Sequence, residues 1–361
     1  MFQGLTRRVL RPPAFGLDIS DLTVKFIRIK ERGRNLVLDG FGETSIPPGV
    51  IVGGEIQREA DLIALLQKGL RTEDGRRIRE RFSVVSLPEE KSFVRMLEIP
   101  TMKAEDVGNA VRWEVEGVIP LPFNEIYFDY EPIPPLAGAD HRDVLLTAFP
   151  RVIVDSYHRV LVAAGLMPIA LELESQAITR AIVTGVLARA PIIIIDIGAT
   201  RTSFIISAAN SIVFTKSISV GGRDLERAIA AALGVDAEQA RKLKIEAGLN
   251  RRADGGRVFA ALGPELTAIT TELEQLFWFY RDHTAARHPG LGDINTVVLC
   301  GGDANLLGIE AFFATAVRKA VLRGDPFAKL SFPPGAIPPI ARNLSLKYTT
   351  AIGLGIRATV G

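Results

Sequence analysis

The 361 residues carry 43 Lys and Arg against 41 Asp and Glu, a formal charge of +2, so no strong basic field marks a nucleic-acid surface. The apolar share is 47% and the mean hydropathy +0.21. Yet the most apolar stretch, AIVTGVLARAPIIIIDIG, is broken by Arg189, Pro191 and Asp196, short of the roughly 18 uninterrupted residues that suggest a membrane span. One cysteine, Cys300, excludes an internal disulfide framework and a thiolate metal site. The start, MFQGLTRRVLRPP, shows no secretory signal, and a cytoplasmic protein is expected. Arg7, Arg8 and Arg11 lie beside Phe2, Leu5, Val9 and Leu10; they read as a frayed terminus, with a weak membrane-surface contact as the alternative.

In chain order, FGLDISDLTVKFIRIK alternates apolar and polar residues around a short turn and predicts a β-hairpin; VLDGFGETSIP continues as strand. ADLIALLQKGLRT has helical spacing at Leu62, Leu65, Leu66 and Leu70. RTEDGRRIRER mixes Glu73, Asp74 and Glu80 among its arginines and reads as a solvated helix and loop face. RFSVVSLP predicts a strand. MKAEDVGNAVRWEVEGVIPLP follows as a helix with Val107, Val111, Val115 and Val118 on one stripe, stopped at Pro120. EIYFDYEPIP and RDVLLTAFP predict strands around a Pro- and Gly-bearing loop. VIVDSYHRVLVAAGLMP predicts an amphipathic helix ended by Gly165.

Residues 86–165 therefore read as a compact α+β unit set into a larger fold. Beyond it come the hairpin IIIIDIGATRTSFII, the strand–Gly-Gly–helix unit KSISVGGRDLERAIAAALG, and the helix PELTAITTELEQLFWFYRDH. The stripe Leu266, Ile269, Leu273, Leu276, Phe277 and Tyr280 of that helix is expected to be core. His283 and His288 at its end read as solvated surface rather than as a metal pair. INTVVLCGGDANLLGIEAFFATAV predicts strand, glycine turn and helix, and FPPGAIPPI a loop before the closing segment.

Two of these hairpins echo each other. FGLDISDLTVKFIRI and IIIIDIGATRTSFII each have an apolar strand, Asp-Ile, a small residue, a short polar turn, Thr and an apolar return. Two copies about 180 residues apart point to a duplicated fold. Tight turns of small residues offer backbone N–H groups to phosphate oxygens, whereas a carboxylate repels phosphate and holds Mg²⁺ through water instead. Asp18 and Asp196 fit that role. Val298 to Ala304 then runs a strand into Gly301-Gly302, which suits close approach by a nucleotide.

This order of motifs resembles the actin-like ATPase superfamily: Asp18 to Lys25 as the first phosphate motif, Asp196 to Thr202 as the second, Val298 to Ala304 as the adenosine motif. SLPEEKSFVRMLEIP, VRWEVEGVIPLPFNEIYFDYEPI, VIVDSYHRVLVAAGLMPIALELES, SISVGGRDLERAIA and TTAIGLGIRA carry a closer resemblance to the PilM family of type IV pilus assembly, over nearly the whole chain. The resemblance implies an α/β, actin-like (ribonuclease H-like) duplicated fold with an inserted α+β subdomain of the kind shared by PilM and FtsA. The expected boundaries are 1–85 and 166–190 for subdomain 1A, 86–165 for the insert (1C), 191–340 for domain 2 (2A and 2B), and 341–361 returning to 1A.

Carried over residue by residue, Asp18 and Asp196 would position Mg²⁺, Lys25 would reach the phosphates of ATP, and Gly198, Ala199 and Thr200 would cradle them. Gly222 and Asp303 are expected beside the nucleotide, and Gly301 and Gly302 would flank the adenosine. Glu174 resembles the water-orienting position; it is equally a helix N-terminal carboxylate favoured by the dipole. Glu238 and Lys242 lie where the family meets the ribose, and are also an ordinary i,i+4 pair. The first motif departs from Asp-x-Gly-Ser: Ser20 restricts the turn, and Asp21 would repel a triphosphate, so that fast hydrolysis is not expected and Asp21→Ser is expected to improve binding.

The function so implied is that of a nucleotide-binding scaffold. It would grip the cytoplasmic N-terminal tail of a PilN-like inner-membrane protein in a groove beside the insert, and would sit at the inner membrane through that partner. Other inner-membrane assembly proteins of the pilus, and self-association, come with the resemblance. The alternatives are a small-molecule kinase on the same fold, for which no sugar pocket or catalytic Asp stands out, and an FtsA-like filament former.

Overall fold

FGLDISDLTVKFIRIK folds as expected. In the computed structural model, which describes residues 12–133, 141–333, 335 and 337–360, β1 (Ala14–Ile19) runs antiparallel to β2 (Thr23–Arg32), and β2 to β3 (Asn35–Ser45). The Arg7, Arg8 and Arg11 cluster lies outside the described residues, as does the loop at 134–140. A two-residue-per-arm hairpin, β4 (Ile51–Val52) and β5 (Glu55–Ile56), precedes α1 (Glu59–Gln67). Residues 71–81 form a loop rather than a helix, closed by an Arg71–Arg77 bridge, with Arg28 donating to Glu80 at 3.0 Å.

β6 (Phe82–Leu87) then pairs parallel to β1. The chain departs into β7 (Phe93–Pro100), α2 (Ala104–Val118), β8 (Ile126–Pro132) and β9 (His141–Pro150), which form a three-stranded antiparallel sheet in the order β7-β9-β8. Val107, Val111 and Val115, the predicted stripe of α2, pack with Leu97, Ile99, Ile126, Val144 and Leu146 into a core separate from the main one. That core spans 97–148, narrower than the 86–165 expected of the insert. The apolar face of α3 (Arg151–Ala163), with Ile153, Tyr157, Val160 and Leu161, belongs instead to the main core.

β10 (Met167–Leu173) returns parallel to β6, giving the sheet order β10-β6-β1-β2-β3, and leads into α4 (Glu174–Ile182). The second copy follows. β11 (Ile192–Ile197), β12 (Thr202–Ala208) and β13 (Ser211–Ile218) form an antiparallel meander; β14 (Thr296–Cys300) pairs parallel to β11, and β15 (Ala320–Arg323) to β14, in the order β13-β12-β11-β14-β15. Read from the third strand of each meander, both sheets have the order 3-2-1-4-5, so the duplication seen in two hairpins extends to both whole sheets.

Ile192 to Ile195 are fully buried because β11 is covered on both faces, a gain of about 2 kcal/mol each over exposure. Around the second sheet lie α5 (Gly222–Leu233), α6 (Ala237–Ala247), α7 (Arg257–Phe279) and α8 (Ile309–Val317). On α7 the predicted stripe Leu266, Ile269, Leu273 and Leu276 is buried, and the helix begins seven residues before Pro264. The closing helix α9 (Thr349–Val360) leaves the second lobe and packs on β1, β2 and α4 of the first.

Candidate functional site

Asp18 and Asp196 are each the penultimate residue of the central strand of their sheet, at its carboxyl end, where open α/β sheets place ligands. In the ladders Asp18 faces Lys25, and Asp196 faces Ser203 on one side and Cys300 on the other. Asp18 is buried and its Oδ1 accepts from Ser86 Oγ at 2.9 Å; Ser86 Oγ accepts in turn from Ile19 N at 3.3 Å. Asp196 Oδ1 accepts from the Cys300 thiol at 3.6 Å. Burial, and then the charge of Asp18, push Asp196 up to about 6, with the thiol bond, Arg201 and Lys25 pulling it back. The two lobes thus present their carboxylates to one space. Hard oxygen donors of like charge facing each other suit a hard dication such as Mg²⁺.

The turns beyond the two aspartates are built differently. Ser20 closes the first: its N–H donates to Thr23 O at 2.9 Å, its hydroxyl bonds Thr23 O at 3.1 Å, and Lys25 Nζ donates to Thr23 Oγ1 at 2.6 Å. Asp21 is buried and taken up by the β4–β5 hairpin, accepting from Gly53 N at 3.1 Å and Gly54 N at 2.9 Å. In the second turn Gly198 N donates to Arg201 O at 2.9 Å. The start of α5 rests on that turn, with Gly222 N on Gly198 O at 2.9 Å and Arg223 N on Ala199 O at 2.8 Å. A helix N-terminus there favours bound anions. The two turns touch: Thr200 Oγ1 donates to Asp21 Oδ2 at 3.4 Å.

Gly301 closes the crevice behind Asp196. Its φ is +86°, and a Cβ there would stand 2.5 Å from Asp196 Oδ1, so only glycine fits. Gly302 is exposed and opens a short 3₁₀ turn to Asn305; α8 starts only at Ile309, so the double glycine does not directly head an α-helix as the sequence led us to expect. Asp303 packs against Gly222, where a Cβ would overlap its carboxylate, and accepts from Lys244 Nζ at 2.6 Å. Lys244 also donates to Gly222 O at 3.3 Å and pairs with Glu226 at 2.8 Å. Glu238 and Lys242 are exposed on the opposite face of α6, where Lys242 pairs with Glu246 at 3.9 Å rather than with Glu238 as the i,i+4 reading had it.

Glu174, the first residue of α4, is buried. Burial holds its carboxyl well above the usual range, with Arg201 pulling it back and the charges of Glu90 and Asp18 adding to the rise. Arg201 Nη2 donates to Glu174 Oε1 at 3.0 Å, and Nη1 pairs with Glu90. Burial works against the Arg201 charge, but Glu174, Glu90 and Asp21 outweigh it and hold the guanidinium protonated. One side chain of the second lobe therefore occupies two carboxylates of the first. Ser86, Glu90, Arg201 and Lys244 escaped the sequence reading. Arg201 and Glu90 stand inside quoted motifs, but no local pattern pairs residues 111 apart.

A second concavity, of about 520 Å³, opens between β8 and β9 of the insert and β10, α4 and α9 of the first lobe. Tyr127, Thr147, Leu171, Gln176, Arg180 and Arg357 line it. Its floor holds the buried Glu172, which accepts from Arg180 at 2.6 and 2.9 Å and pairs with Arg357. Of the two histidines, His283 is exposed as expected and stacks on Phe279 at 4.7 Å between ring centroids, whereas His288 is buried rather than solvated.

Residues 16–359 match the family model described as type IV pilus assembly protein PilM. Among solved structures, a chain of a PilM–PilN type IV pilus biogenesis complex is similar at a TM-score of 0.80 and 23% identity, over 97% of this chain and 100% of that one. The ethanolamine utilization protein EutJ from Carboxydothermus hydrogenoformans follows at 0.55 and 15%, over 96% and 90% of the two chains. MreB5 of Spiroplasma citri bound to ADP stands at 0.56 and 13%, over 96% and 95%. These likenesses establish the actin-like fold.

Proposed function

Since the chain belongs to the type IV pilus assembly protein PilM family, we propose that it is a nucleotide-binding scaffold. It would hold Mg-ATP between its lobes and the N-terminal tail of a PilN-like inner-membrane protein in the groove beside the insert. The observation that carries the nucleotide half is the meeting of Asp18 and Asp196 in one crevice, where the charge of Asp18 raises the cost of ionising Asp196. A bound Mg²⁺ would neutralise that repulsion and bridge phosphate oxygens. Asp18 and Asp196 would hold it through water, Lys25 would meet the phosphates, and the Gly198–Thr200 turn with the start of α5 would receive them. Gly222, Gly301 and Gly302 would border the nucleoside, with Lys244 and Asp303 fixing that wall.

Glu174 is where a water-orienting base would stand, but Arg201 holds its carboxylate. Its Oε1 is engaged at 3.0 Å instead of free to orient a water, which supports binding with slow turnover at most. The groove supports the partner half: it combines apolar walls at Leu171 and Phe149 with Asp129 and Glu131 on one side and Arg180 and Arg357, paired to Glu172, on the other, a match for a short apolar tail with polar ends. Among the described residues no helix is long and apolar enough to cross a membrane, so attachment to the inner membrane would run through the partner. Calorimetry of the full chain against Mg-ATP, and against the N-terminal segment of its PilN-like partner, checks both halves. No heat with either ligand would remove this reading.

A further inference from the structure

Away from both concavities, four metal-binding side chains converge where the insert meets the second lobe. Glu98 on β7 and Asp143 on β9 stand directly opposite each other in the antiparallel ladder, and His141 shares the face of Asp143 two residues earlier. His288, beyond the end of α7, comes down on that face with its ring centroid 5.2 Å from that of His141. Like charges directly opposite in a ladder repel, so the pair calls for positive charge between them.

The two imidazoles approach different oxygens of one carboxylate. His141 Nε2 lies 3.5 Å from Asp143 Oδ1 and His288 Nε2 3.6 Å from Asp143 Oδ2, with the side chains of Asp143 and His288 only 4% and 2% exposed. A hydrogen bond would close to about 2.7–3.2 Å. Asp143 Oδ1 and His288 Nε2 have no hydrogen-bond partner, and such buried orphans cost about 1–3 kcal/mol each. A tetrahedral ion with metal–nitrogen distances of about 2.0–2.1 Å sets neighbouring ligand atoms roughly 3.3–3.4 Å apart, close to the two His–Asp separations. One ligand atom each from Glu98, His141 and His288 also falls within a mutual 4.8 Å.

We propose that Glu98, His141, Asp143 and His288 form a binding site for a zinc-type divalent transition ion that pins the inserted sheet to the second lobe. Two imidazoles select such an ion over Mg²⁺ or Ca²⁺. Two carboxylates neutralise the dication with both imidazoles uncharged. Arg287, next to His288, donates to Glu98 Oε1 at 2.6 Å and orients that carboxylate while leaving its second oxygen for the ion.

The test uses tag-free full-length protein, stripped with a chelator and titrated with zinc chloride and, for its spectrum, cobalt chloride. One ion per chain, visible tetrahedral cobalt absorption and a raised melting temperature are expected. His288→Gln and Asp143→Asn should each weaken binding at least tenfold with unchanged near-ultraviolet circular dichroism, while the exposed His283→Gln leaves it intact. Should His288→Gln not fold, Glu98→Gln, on a partly exposed side chain, decides by the same tenfold criterion. Substoichiometric zinc, a colourless cobalt titration, or binding that survives these substitutions overturns the site and leaves a contact of the two histidines with Asp143 that holds no ion.

Discussion

Arg201 of the second lobe donates to Glu174 of the first at 3.0 Å, and the same guanidinium pairs with Glu90. Removing one partner of a buried ion pair typically costs about 3–5 kcal/mol, because the other charge is left without compensation. Arg201→Gln strands the buried Glu174 and the half-buried Glu90, so urea unfolding should show a loss of that order, and Arg201→Lys a smaller one. An unchanged midpoint would mean that the pair contributes nothing to holding the lobes together.

Asp196 carries a pH signature of its own. Its folded pKa is raised to about 6 from 3.8 by burial and by Asp18. Between those values the folded protein keeps a proton that the unfolded chain has released. The contribution of this group is therefore greatest on the acid side and is lost as pH rises through 6. A shift of about two units corresponds to roughly 3 kcal/mol. Asp196→Asn should thus be more stable than the parent at pH 7 and nearly equal to it at pH 4. Mg-ATP binding by the parent should tighten from pH 5 to pH 7, and the variant should bind at least tenfold more weakly at pH 7. Equal calorimetric affinities for parent and variant would dismiss the assignment of Asp196.

Asp21 answers to structure before electrostatics. Its two oxygens take the N–H groups of Gly53 and Gly54. Asp21→Ser leaves the buried Gly54 N–H unsatisfied, at about 1–3 kcal/mol. The expected outcome is a lower melting temperature in calorimetry, in place of the gain in nucleotide binding that the motif comparison alone anticipates. Asp21→Asn, which keeps one acceptor, should fall between the two.

The groove offers a clean substitution at Gln176. On α4 its neighbours Ser175, Ala177 and Ile178 are buried, while Gln176 and Arg180 face the concavity. Gln176→Trp should fill it and weaken capture of a PilN-like tail at least tenfold, with Mg-ATP binding and melting temperature near those of the parent. Undiminished peptide binding would move the partner site elsewhere.

Much of the fold was legible in the chain. The run FGLDISDLTVKFIRIK folds as the expected hairpin, though its first strand is buried on both faces, and the helical stripe Val107, Val111 and Val115 reports the buried face of its helix. The duplication was legible too, because each copy spells out its own strand, turn and strand. The candidate site was legible as far as single motifs reach. The pattern marked Lys242 on one face of its helix but gave no sign of Lys244, two residues on, which reaches Asp303.

Local residue order thus determined the two hairpins, the aspartate at the end of each central strand, and the insert's separate apolar stripe, since hydrophobic periodicity and turn chemistry act within a few residues. Only the tertiary structure decided that Arg201 would lie on Glu90 and Glu174, that Asp21 would be spent on Gly53 and Gly54, and that His288 would meet His141 and Asp143. A lone charge or imidazole takes its character from whatever the folded chain brings within about 4 Å of it, and those neighbours come from far along the sequence.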